Sequence, residues 1–77
     1  MNDVKRENLK RNVVDQVEKV VDDYKPFEAV IDIYVGMLLQ KENLESRIKD
    51  NKNNFIMFQA LKELNEDINK YKEELMI

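Results

Sequence analysis

Only two positions in the chain, Pro26 and Gly36, carry the residues on which tight turns and sheet bends depend. With so little turn chemistry in 77 residues, an all-β arrangement is disfavoured and long helices are the economical solution. Two interruptions divide the chain. Pro26 lacks an amide donor and pushes Lys25 away from helical geometry, which predicts one helix ending near Tyr24 and another starting at or just after the proline. A single kinked helix is the alternative there. The run Asp50-Asn51-Lys52-Asn53-Asn54 is a polar loop in which Asn53 or Asn54 can cap the next helix through its side-chain oxygen.

Between the breaks, apolar residues recur at spacings of three and four. Val13, Val17, Val20 and Tyr24 form the first stripe, flanked by Leu9, Val14 and Val21. Val30, Tyr34, Met37, Leu44 and Ile48 form the second, with Lys41 filling one position, and Met57, Leu61, Leu64, Ile68, Tyr71 and Leu75 the third. This period is helical. The fold expected is all-α, one domain over 1–77, a three-helix antiparallel bundle with helices over about 3–24, 27–50 and 54–76. The second and third stripes mirror each other about the Asn-rich loop: Val30 falls opposite Leu75, Tyr34 opposite Tyr71, Met37 opposite Ile68, and Lys41 opposite Leu64. The same test about Pro26 pairs Val20 with Ile31, Val17 with Tyr34 and Val13 with Leu38.

The middle helix should be central. From Phe27 to Leu39 ten of thirteen residues are apolar, and the exceptions Glu28, Asp32 and Gly36 lie on one line that continues to Gln40. A helix so apolar around its circumference belongs inside an assembly. The stretch covers only about 20 Å at helical rise and contains two carboxylates, so it is too short to span a bilayer. Its β-branched residues also admit a buried strand, although no partner strand is evident.

Function is constrained mostly by what is missing. The chain has no Cys and no His, which removes thiolate and imidazole chemistry, disulfides and ordinary zinc sites. Ser46 is the only serine, and threonine is absent. No enzyme activity, catalytic residue, metal ligand or cofactor is expected. Asp22, Asp23, Glu28 and Asp32 gather around the Pro26 turn, but their spacing matches no calcium loop, and a solvated acidic corner is the expectation. Asp15 with Lys19 and Glu66 with Lys70 have the spacing of intrahelical ion pairs. Tyr34 and Tyr71 read as amphipathic core residues sharing a hydroxyl network.

The net charge is −3, with +2 over 1–12, −4 over 13–33, +1 over 34–54 and −2 over 55–77. A dedicated nucleic-acid binder would concentrate its cations on one face, so that role is not favoured. No signal peptide is visible, since Lys5, Arg6, Lys10 and Arg11 lead into no hydrophobic segment. A cysteine-free chain of this kind suits the cytoplasm.

A domain this small buries only about 60% of its unfolded surface and has no covalent staple. Ile33, Val35, Leu39, Phe55, Ile56, Phe58, Met76 and Ile77 remain once both seams are filled. Exposed together they would exceed what a soluble monomer tolerates. Self-association is therefore expected, most simply as a two-fold dimer through the second helix or the hairpin, with Ile33, Val35, Leu39, Phe55 and Phe58 as the interface. Gly36 either lets two backbones approach closely or is a small surface residue.

The stretch VIDIYVGMLLQKENLESRIKD, a polar loop, and then NNFIMFQALKELNEDINKYKEELMI resembles the paired-helix region of small terminase subunits of tailed bacteriophages, over about residues 28–77. In that family an aliphatic helix with a Tyr leads into a loop and an Asn-led helix with a Glu-Leu-Gly-Leu-type tail. This chain has Glu74, Leu75, Met76 and Ile77 there. The resemblance implies a ring-forming, DNA-packaging subunit whose hairpin carries oligomerisation. The reading from the residues themselves is a non-catalytic, self-associating interaction module. It is a small regulator or inhibitor of phage or mobile-element type that binds a protein partner through an apolar helical surface. In the terminase-like alternative Lys5, Arg6, Lys10 and Arg11 contact DNA.

Overall fold

A computed structural model describes residues 2–50 and 55–77. Three α-helices follow one another: α1 over Asn2–Glu18, α2 over Glu28–Asp50 and α3 over Phe55–Glu74, with a 3₁₀ turn at Lys25–Phe27 before α2. Among the described residues there is no strand, and the segment Phe27–Leu39 is helical from Glu28 onward. Four residues join α2 to α3. They can span no more than about 20 Å at full extension, whereas a helix of this size is about 30 Å long. The two long helices pack on one another and must therefore run antiparallel.

α2 is the middle element. Both α1 and α3 pack against it, and no Cα of α1 comes within 8 Å of one in α3 among the described residues. The molecule is accordingly flat, with extents of 45 × 27 × 17 Å. Its core consists of Val13 and Val17 from α1, Ile31, Tyr34 and Val35 from α2, Ile68 from α3, and Leu75 just beyond. Val30, Met37, Leu64 and Tyr71, all on the apolar stripes of the hairpin, pack around them.

α1 ends at Glu18, six residues before the boundary expected near Tyr24. The Val17 carbonyl accepts from both Val20 N–H and Val21 N–H, each at 2.9 Å, which closes the last turn. Beyond it come two β-branched residues and two aspartates, all poor helix formers. Asp23 Oδ1 accepts from Lys25 N–H at 3.1 Å, an Asx turn that competes with the helix for this segment. Tyr24 O then accepts from Phe27 N–H at 2.8 Å, and Pro26 sits in the first turn of the 3₁₀ segment, where its missing donor costs nothing.

The early end changes the register of α1 on α2. Lys10 Nζ pairs with Asp32 Oδ1 at 3.0 Å, and Lys5 pairs with Glu42. The mirror about Pro26 would have placed Lys10 level with Lys41 and Lys5 level with Ser46. α1 therefore lies one turn or more closer to the start of α2 than the apolar stripes alone imply. As a result Val20, expected to pack on Ile31, is exposed.

α3 ends in a Schellman motif. Ile77 N–H donates to Lys72 O at 3.2 Å and Met76 N–H to Glu73 O at 3.0 Å. Met76 takes the left-handed position with φ 60°, which a glycine would occupy without strain. Arg47 and Lys49 in the last turn of α2, and Lys72 in that of α3, complement the helix dipoles. The cap expected from Asn53 or Asn54 lies outside the described residues.

Candidate interaction surface

The polar line on α2 meets the basic line on α1. Arg6 and Lys10, four residues apart on a helix, project on one face, and opposite them stand Asp32, Gly36 and Glu42. Besides the two ion pairs, Arg6 Nη2 donates to the backbone carbonyl of Asp32 at 3.3 Å. Gly36 lies beneath this guanidinium: a Cβ built there meets Arg6 Nη1 at 3.9 Å. The hydrogen bond that the Lys10 ammonium donates to the Asp32 carboxylate holds it above its ordinary pKa, helped by the charges of Asp32, Glu28 and Tyr24 and opposed by desolvation. Three of the four cations assigned to DNA in the terminase-like alternative are thus engaged within the chain. Their signal in the sequence was the match of a basic i, i+4 pair to the acidic line on α2.

This clasp also relocates part of the expected interface. Val35 is 0% exposed and belongs to the core of the single chain, so it is not available to a partner. Leu39 is half-buried against that core and lines a groove of about 500 Å³ with Lys5, Gln40, Glu42, Asn43 and Ser46. Both residues were assigned to a free face because the apolar stripes gave α1 a different register. α1 instead docks by charge along the side of α2 that carries Asp32 and Glu42. Ile33, at 47% exposed, does remain on the surface.

The other end of the hairpin is less covered. Lys5 lies level with Glu42, so the part of α2 beyond Ser46 and the start of α3 extend past α1. Among the described residues no core residue lies in this overhang. Leu44, Ile48, Met57 and Leu61, which continue the mirrored seam, are only half-buried, because two helices alone cannot enclose the apolar layer between them. Phe55, Ile56 and Phe58 lie off the seam and are 76%, 79% and 47% exposed. Sequence reasoning selected Phe55 and Phe58, but ranked Ile56 below them although it is the most exposed. Val4 is exposed as well and was missed, its setting among charged residues giving no apolar pattern.

Burial raises the pKa of the Tyr34 phenol. Tyr71 is half-buried, and among the described residues no hydrogen bond joins the two hydroxyls. Lys41 is half-buried in the seam, and among the described residues it closes no ion pair with Glu45. Nor do Asp15 with Lys19 or Glu66 with Lys70. Asp23 and Asp32 of the acidic corner are turned to different partners, Lys25 N–H and Lys10. Among the described residues no group of three carboxylates is placed to hold a metal ion, and no helix is long and apolar enough to cross a membrane.

The fold defines an all-α protein of three helices, with its least covered surface at the hairpin end. Comparison of the chain with protein-family models, with curated proteins and with solved structures returns no match.

Proposed function

We propose that this chain is a non-catalytic helical interaction module that self-associates and engages a protein partner through the apolar end of its hairpin. One observation carries the reading: Phe55 and Ile56, adjacent in the first turn of α3, are three-quarters or more exposed, above a seam that two helices leave half-open. Burying two such side chains on association is strongly favourable, and aromatic anchors are what interfaces concentrate at their centres. Of the five interface residues expected from sequence, Phe55 and Phe58 lie at this hairpin end, Ile33 stays exposed toward the other end of α2, and Leu39 and Val35 leave the proposal. Such a module fits a small cytoplasmic regulator or inhibitor of phage or mobile-element type, acting by occupying a groove on its target.

The terminase-like DNA-packaging role is the second reading. It is favoured by Met76, which adopts a left-handed backbone where the family tail has glycine. Against it stands the engagement of Lys5, Arg6 and Lys10 by α2.

The test is light scattering on the wild type and on Phe55→Asp/Ile56→Asp over a dilution series. The wild type should exceed its monomer mass at high concentration and the variant should not. A variant that assembles as the wild type does would remove the apolar hairpin end from the account. Salt-sensitive DNA binding by the wild type would shift the balance to the second reading.

A further inference from the structure

The two ends of the molecule differ in charge as well as in cover. Among the described residues between Ser46 and Lys62 the chain carries Arg47, Lys49 and Lys62 against Asp50 alone, net +2. These described residues lie at the hairpin end with Phe55, Ile56 and Phe58. At the opposite end lie the turn after α1, the start of α2 and the end of α3. There Asp22, Asp23, Glu28, Glu73 and Glu74, all exposed, outnumber Lys19, Lys25 and Lys72. That end also presents exposed apolar side chains, Val20, Ile33 and Met76. Each end thus pairs uncovered apolar surface with one sign of charge, and the signs are opposite.

We infer that copies of this chain join head to tail, the basic apolar overhang of one seated on the acidic apolar end of the next. The inference rests on the self-association proposed above and specifies its geometry. A two-fold contact between overhangs would bring two net-positive surfaces together, and like charges facing each other across an interface oppose association. A heterologous contact matches the signs and covers both sets of apolar groups. Because such a contact leaves a free end on each copy, it propagates into a ring or a filament rather than stopping at a dimer. Opposite charges at the contact also make assembly weaken as salt is raised.

Two variants and their mixture test this. Phe55→Asp/Ile56→Asp disables the overhang, and Val20→Asn/Met76→Asn disables the acidic end. All four residues are exposed, and Asn tolerates the left-handed backbone at position 76, so circular dichroism should show both variants folded. In sedimentation velocity each variant alone should run as a monomer. Their equimolar mixture should give a species of twice the monomer mass and nothing larger, because only one competent overhang and one competent acidic end are present per pair. Wild type should form larger species that shrink with added salt. A wild type that assembles while the mixture stays monomeric would overturn the head-to-tail geometry and leave self-association standing. A wild type that is monomeric throughout would overturn both.

Discussion

Replacing Gly36 by alanine should stabilise the protein. Gly36 lies in the interior of α2 without a positive φ, so the backbone there is one that alanine adopts freely. Alanine is favoured over glycine in a helix interior by about 0.8–1.0 kcal/mol, largely because it restricts the unfolded chain. A clash could cancel that gain, so the surroundings decide the sign. The nearest atom to the new methyl would be Arg6 Nη1 at 3.9 Å, an ordinary contact with the end of a long, adaptable side chain. The expected net effect is about +0.8 kcal/mol, which for a domain of this size raises the melting temperature by roughly 3–6 °C. Thermal and urea unfolding followed by circular dichroism would measure it. Self-association should be unchanged, since Arg6 covers this position within the chain. Loss of stability in Gly36→Ala would mean that a backbone, not a guanidinium, lies over Gly36. Loss of assembly with stability intact would make Gly36 a point of close approach between copies, contrary to the arrangement described.

Ile68→Asp should leave the protein unfolded at room temperature, because an unpaired carboxylate at a position 6% exposed costs on the order of 3–5 kcal/mol, most of the stability of a small domain. A helical spectrum with an unaltered melting temperature would place the α3 core on another face. Burial raises the Tyr34 pKa, so the neutral phenol is the form the fold prefers. Its contribution is therefore intact below the ordinary tyrosine value of about 10 and is lost as pH climbs through the raised value. Tyr34→Phe should flatten that alkaline decline in urea titrations run at increasing pH, and an equal decline in the variant would assign it to other groups. Met76→Gly should stabilise by about 0.5–1 kcal/mol, since it relieves the left-handed position at the end of α3; a destabilised variant would argue against the Schellman cap.

The hairpin of α2 and α3 was legible because its stripes keep one period on both sides of a polar loop. Buried Tyr34 and Ile68 both lie on them. α1 was legible as a helix but not in length. Pro26 marks its latest possible end, whereas Val20, Val21, Asp22 and Asp23 end it sooner through local propensity and an Asx turn. That difference carried into everything placed against α1. Stripe matching ranks only apolar contacts, so it could not see that Lys10 would find Asp32 and Lys5 would find Glu42. Val35 consequently moved from the expected surface to the core. The exposure of Phe55 and Phe58 was legible because they lie off the α3 stripe, which is a property of sequence alone. The overhang itself was not legible, since it depends on how far α1 reaches along α2.

On the proposed reading, a single copy leaves its hairpin end uncovered and completes it by association. Sedimentation equilibrium of the wild-type chain from micromolar to millimolar concentration tests this most directly. The weight-average mass should rise with concentration above the 9.3 kDa of one chain; a constant 9.3 kDa over the whole range would rule out self-association.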